Sequence, residues 1–340
     1  MNRELAVERP DWLFAVGPYS ETVICSGVEI ARSFATGKFW WKAGLARIGQ
    51  KKAVKKAFGI ILGQDPRTLE LRGHLRGIIW EKYPFLRGTT TLISPGNGLH
   101  IGLGPNEAVR LYSYSGGVLS ESALARAMRL TESAGQVLDF AYDREMGFLN
   151  PNLEEVGSGL CFKAILHLPA AVHAGTLSGF REKLSDLGVK AEGFLKGWPK
   201  PAGSLVVITY WPGPDLRPHE AHLAFREIMR FGVEWEAESR SLLLSYANLA
   251  VEDRAARSMA TLRVARLLGY GELADLLSWV RLGVGIGALE PVPVKEMTAL
   301  LFISGRNHMR AVAGRELTET EENAMRASLV RATVGGWGEC

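Results

Sequence analysis

Cysteine is scarce in this chain. There are three, Cys25, Cys161 and Cys340, far apart and odd in number. No CxxC pair and no Cys/His cluster is present, so neither a disulfide framework nor a structural zinc site is expected, and a reducing cytoplasm is the expected compartment. Long apolar runs are also missing. Glycine or a charge breaks each one well before the ~18 residues that a membrane helix needs. The opening MNRELAVERPDW carries charges and no apolar core, so no signal peptide is expected. Internal repeats and low-complexity tracts are absent. The charge excess is small, a formal +4, and does not call for a nucleic-acid partner. What remains is a normal globular balance of 47% hydrophobic and 22% charged residues. The 340 residues leave room for two domains.

The apolar pattern divides the chain at residue 248. Before it, strands and helices are mixed. Residues 12–36 read as a strand entering a short helical or turn segment, and residues 38–62 as a helix with Lys51, Lys52, Lys55 and Lys56 on one face. Residues 89–115 read as β-runs punctuated by SPGNG and GPN. An amphipathic helix should run from Ser120 to about Tyr142, with Ser120 or Ser122 as its cap. Residues 160–168 and 204–211 read as strands, 177–187 and 217–248 as helices. After Val251 come four consecutive helical patterns with short Gly or Pro breaks. The expectation is an α/β domain over 1–248 and a helical domain over 249–340.

Several motifs then fall in a fixed order. They are Gly17-Pro18, Ser26, Ala31-Arg32-Ser33-Phe34, Gly147-Phe148-Leu149, Gly157-Ser158-Gly159-Leu160, His167-Leu168-Pro169, Glu252-Asp253-Arg254 and Val280-Arg281-Leu282-Gly283. In this order and spacing the chain resembles the ATP:guanido phosphotransferases, above all the bacterial protein-arginine kinases. The resemblance implies an α+β fold, a guanido-kinase-type antiparallel sheet flanked by helices, followed by an all-helical domain that mediates dimerisation. It also implies an ancestral transfer of phosphoryl from Mg-ATP to an arginine guanidinium. That chemistry needs cations fixed around a triphosphate and carboxylates that orient the guanidinium. Arginine suits the first task because its planar fork stays charged and grips phosphate bidentately.

The chain departs from the family at the residues that carry this chemistry. The opening Ser-x-Arg-x-Arg pattern is Ser26 with Gly27 and Glu29 nearby, both arginines gone. The central-strand arginine is Cys161, with Lys163 two residues on, on the same strand face. The Asn-Glu-Glu-Asp-His-x-Arg segment keeps Arg110 but has Pro105 and Asn106 where an asparagine-glutamate pair is expected, with Glu107 one residue off. The ATP-closing segment keeps Lys196 and has Gly197 in place of its glutamate. Asn152 replaces a reactive cysteine, and Gly77 a histidine expected near adenine. The helical domain's phosphoarginine-reading Arg-Asp-x-x-Arg-Ala becomes Glu322 to Ala327, with Arg326 retained. The vestigial nucleotide cleft would then comprise Ser26, Gly27, Glu29, Arg32, Arg110, Cys161, Lys163 and Lys196, and Arg326 would mark a phosphoarginine-site remnant. Each bidentate cation in a closed site is worth a few kcal/mol of transition-state stabilisation. At ~1.4 kcal/mol per tenfold, losing four removes many orders of magnitude of rate.

Other signals read as structure. His219 and His222 lack the zincin spacing and look like solvated first-turn residues. Gly283, Gly285 and Gly287 follow a helix, not a strand, and read as a helix break. Cys161 reads as a small filler, and Trp40, Trp41 and Trp198 as core or interface aromatics. No metal is expected. The sequence reading is a catalytically inactive homologue acting as a regulatory or scaffold subunit. It would be a homodimer or a heterodimer with an active arginine kinase, with phosphorylated clients and neither nucleic acid nor membrane as partners. The alternatives are a divergent Mg-ATP-dependent arginine kinase and a phosphoarginine- or anion-binding module.

Overall fold

Runs of alternating β-branched, aromatic and polar residues become strands, as their period of two requires. In the computed structural model, which describes residues 4, 8–14, 17–35, 46–64, 67–96, 98–103, 108–194 and 201–337, these are β1 (Val23–Ser33), β2 (Arg67–Glu70), β3 (Thr91–Gly96), β4 (Leu99–Leu103), β5 (Ala108–Gly116), β6 (Tyr142–Asp143), β7 (Gly147–Phe148), β8 (Leu160–His167), β9 (Lys190–Gly193) and β10 (Leu205–Tyr210). Eight of them form one sheet in the order β2-β3-β4-β5-β1-β8-β10-β9, antiparallel throughout. β6 and β7 make a separate small hairpin. The long strand β1 is central and fully buried, flanked by β5 and β8.

The helices are α1 (Ala46–Leu62), α2 (Gly73–Lys82), α3 (Glu121–Gly135), α4 (Pro169–His173), α5 (Leu177–Asp186), α6 (Pro218–Val264), α7 (Tyr270–Gly285), α8 (Val294–Ile303), α9 (Arg306–Ala313) and α10 (Glu319–Val334). Ser120 caps α3 by accepting from the Ala123 N–H at 3.2 Å. That helix stops at Gly135, not near Tyr142. The chain there turns so that Phe34 and Phe140 bridge and their rings meet. One side of the sheet packs on α3, α5 and α6 through Ile30, Phe162, Phe180 and Phe225. The other side, through Tyr112, Tyr114 and Ile165, shares a core with the helices beyond residue 248, through Leu262, Leu277, Phe302 and Val330.

The helices differ from their sequence pattern in four ways. The long helix continues to Val264, with a non-helical Ala247 (φ −133°, ψ 20°) one residue before the expected division. α9 has no counterpart among the expected patterns; its eight residues are too few for a helical period to stand out. Gly283 and Gly285 lie inside α7, and the break falls at Gly287. His222 is buried, not solvated, with Nε2 2.8 Å from the Leu119 carbonyl, whereas His219 pairs with Glu121 on the surface.

Among the described residues no helix is long and apolar enough to cross a membrane, and no group of three or more His, Cys, Asp or Glu could hold a metal. On the lysine face of α1, Lys51 pairs with Glu70 at 2.9 Å, while Lys52 and Lys56 stand exposed. The earlier part of the expected helix, with Trp40 and Trp41, lies outside the described residues, as do Trp198, Cys340 and the GPN turn.

Candidate functional site

Side chains alternate faces along a strand, so Gly27 and Glu29 share one face of β1 while Ser26 and Arg32 share the other. The register places Glu29 opposite Tyr112 on β5 and Cys161 on β8. Arg110 is opposite Ala31, and Lys163 opposite Gly27. Both are therefore diagonal neighbours of Glu29, within reach of a long side chain.

Both cations turn onto that acid. Lys163 Nζ donates to Glu29 Oε2 at 2.5 Å, and Arg110 Nη1 donates to Glu29 Oε1. Arg110 also clasps Glu155 in a fork, Nη1 to Oε1 at 2.7 Å and Nη2 to Oε2 at 3.0 Å. Glu155 ends a 3-10 turn (Leu153–Glu155) ahead of β8 and is 5% exposed, like Glu29. Two acids and two bases thus close a neutral quartet.

Burial alone would push the Glu29 carboxyl upward. Lys163 and then Arg110 overcome it and hold the group below the usual carboxylate range. Burial likewise works against the charge on Arg110 and on Lys163, and Glu29 more than offsets it, so both stay protonated. Cys161, beside them, is 2% exposed, and burial pushes its thiol up to about 12. A thiol at that value is no nucleophile at neutral pH.

The Gly27 end of this face is filled. A Cβ built on Gly27 would lie 2.7 Å from the Ser113 carbonyl and 3.6 Å from Phe85 Cδ2. Phe85 stacks on Tyr114 at 5.5 Å, with rings 7° apart. An arginine at position 27 would therefore meet backbone on one side and an aromatic stack on the other.

Two residues expected in the cleft lie elsewhere. Ser26, on the opposite face, donates to the Gly117 carbonyl at 2.7 Å and accepts from the Leu119 N–H at 2.6 Å. Arg32 donates to the carbonyls of Ala31 (2.7 Å) and Ser158 (2.9 Å) and lies 3.6 Å over the Phe148 ring. Burial lowers its pKa to about 10. Arg32 clamps the loop that leads into β8 and does not face the quartet.

Pro105, Asn106, Glu107, Lys196 and Gly197 lie outside the described residues. Gly77, where a histidine was expected, packs against the α9 side chain of Asn307; a Cβ there would fall 2.2 Å from its Cγ. Arg326 is 2% exposed among the C-terminal helices. It donates to the carbonyls of Ser304 and Leu268 and to Asn323 Oδ1 at 2.7–2.8 Å. The sequence reading missed Glu155. Its one signal was an acid two residues ahead of the Gly157 frame, with nothing in the pattern to show that it would be buried.

A triphosphate needs unspent cations, and the quartet has none among its members. Among the described residues, those of the quartet do not fit the nucleotide phosphates.

Comparisons with known proteins bear on the ancestry of this arrangement. Residues 74–208 match the family described as ATP:guanido phosphotransferase, C-terminal catalytic domain, and residues 248–338 match Protein-arginine kinase McsB C-terminal domain. The chain is 28% identical over 95% of its length to a protein-arginine kinase of Symbiobacterium thermophilum, covering 96% of that protein. It is 23% identical over 94% of its length to one from Bacillus cereus, covering 94% of it. Among solved structures, the duplicated taurocyamine kinase of Schistosoma mansoni with bound transition state analog components aligns with a TM-score of 0.54 at 15% identity, over 74% of this chain and 40% of that one. A lombricine kinase aligns at 0.51 and 12% identity, over 70% and 72%. These structures share the fold.

Proposed function

The chain belongs to the ATP:guanido phosphotransferase family and carries the protein-arginine kinase C-terminal domain, and from that membership we propose that it is a catalytically silent member, a regulatory or scaffold subunit in the cytoplasm. One observation carries the reading. Arg110, the cation kept from the family pattern, and Lys163, two residues from the lost central-strand arginine, are both spent on Glu29, which occupies the place of a lost arginine. A buried carboxylate held by two cations is an internal substitute for a bound anion. A polyphosphate would have to break that pairing and approach a carboxylate of its own sign.

Lost contacts argue in the same direction. Gly27 and Cys161 offer no cationic side chain to a phosphate, and Arg32 is committed to carbonyls on the far face. An active kinase would need its cations freed and its guanidinium-orienting acid restored. The role left to the chain is association, as a homodimer or as a heterodimer with an active arginine kinase.

The test is a calorimetric titration with Mg-ATP beside an active arginine kinase, followed by an assay for acid-labile phosphoarginine. Silence in both, with recovery of an arginine kinase in pull-downs, is the expected result. Turnover that disappears in Arg110→Ala would replace this reading with that of a divergent enzyme.

A further inference from the structure

A cavity of about 540 Å³ opens between α2 and the N-terminal ends of α7, α9 and α10, and none of the quartet lines it. Trp80 and Tyr270 contribute aromatic walls, and Arg87, Arg306 and Arg326 contribute guanidinium groups. That volume is ordinary for a small-molecule or peptide-end site.

Three of the four acids in its walls are committed, and the fourth, Glu319, is exposed and makes no hydrogen bond or ion pair among the described residues. Glu322, 2% exposed, accepts from Arg306 Nε at 3.0 Å and from Arg310 Nε at 2.8 Å. Both oxygens of Glu81 are taken by Asn307 and His308 at the start of α9. Glu272 caps α7 through the Gly269 N–H at 3.3 Å.

The donors are not all committed. Arg87 is exposed and makes no hydrogen bond or ion pair among the described residues. Arg306 uses only Nε, and Arg326 leaves Nη2 unbonded. A ligand that completes this site must bring acceptors for these free guanidinium N–H groups.

How much charge it brings is limited by the exposed Glu319 and, above all, by the buried Glu322. A phosphoryl group carries about −1.5 to −2 at neutral pH and would face that buried carboxylate. A carboxylate carries half as much, and its planar pair of oxygens matches a guanidinium fork. We propose that this cavity binds a monoanionic carboxylate with an aromatic or apolar body, such as the C-terminal end of a peptide, in preference to a phosphoryl dianion. The carboxylate sits among Arg87, Arg306 and Arg326, and the body lies against Trp80 and Tyr270.

The experiment titrates the full chain with three probes: N-acetylphenylalanine, its neutral amide, and phosphoarginine. The acid should bind saturably and more weakly as salt rises. The amide should not bind, and phosphoarginine should bind at least about tenfold more weakly than the acid. Arg87→Gln, at an exposed position where folding is safe, should lower affinity for the acid about tenfold, the worth of one charge-assisted contact. Equal binding of acid and amide, tighter binding of phosphoarginine, or no saturable binding of any probe overturns the proposal.

Discussion

Two buried glutamates in this molecule each bridge two cations, with opposite consequences. Glu29 lies in the middle of an eight-stranded sheet and is held by Arg110 and Lys163, whose side chains are 19% and 23% exposed. Glu322 lies on a helix and is held by Arg306 and Arg310, of which Arg306 is 59% exposed. In the sheet, strand spacing fixes every backbone, Glu155 closes the far side of Arg110, and Phe85 fills the end beyond Gly27. Among the helices, the bridge stands in the wall of an open cavity with donors to spare. An acid–base bridge therefore does not itself decide whether a site can bind. The decision lies with the packing around it.

The largest expected effect comes from breaking the closed bridge. Arg110→Met would leave Glu29 with Lys163 alone and strand Glu155 as a buried unpaired acid. Removing one partner of a buried pair costs about 3–5 kcal/mol. Urea unfolding should register a loss of that order, and a loss under about 1 kcal/mol would show that water already reaches the quartet.

An intermediate effect concerns acid. The Glu29 carboxyl is held below its unfolded value despite burial, because Lys163 and Arg110 stabilise its charged form. A group shifted downward contributes stability that is present above the unfolded pKa, near 4.5, and lost as pH falls through the folded value. Wild type should therefore lose stability on acidification below about pH 4.5 more steeply than Glu29→Gln, whose starting stability is lower. Parallel acid limbs for the two proteins would remove Glu29 from the account.

The smallest effect belongs to the open bridge. Arg306 is mostly solvated, and Glu322 retains Arg310 when Arg306 is removed. Arg306→Ala should cost less than about 1 kcal/mol of stability by the same urea measurement. A loss as large as that for Arg110→Met would erase the contrast between the two clusters.

Much of the fold was legible in sequence because strands and helices write their periods locally. The β8 and β10 patterns and the Ser120 cap need only neighbouring residues. The short α9 did not show because eight residues span barely two turns. The early stop of α3 did not show because the contact that bends the chain, Phe34 with Phe140, joins distant positions. The cleft was legible only as a list of substitutions, Ser26, Gly27, Glu29, Arg32, Arg110, Cys161, Lys163 and Lys196, of which strand pairing brings Gly27, Glu29, Arg110, Cys161 and Lys163 to one face. Ser26 and Arg32 fell on the other by strand parity, which the sequence also carried. The burial of Glu155 and Arg326 depended on what packs over them.

By itself the sequence determined which chemical groups were kept and which were lost, since motif order and residue identity are properties of the chain alone. Only the tertiary structure decided that Arg110 and Lys163 are spent. Glu29 lies 81 residues from Arg110 and 134 from Lys163, and only the register of β1 between β5 and β8 makes them diagonal neighbours. A charge acts through distance in space, and distance in space is fixed by strand pairing, not by position along the chain.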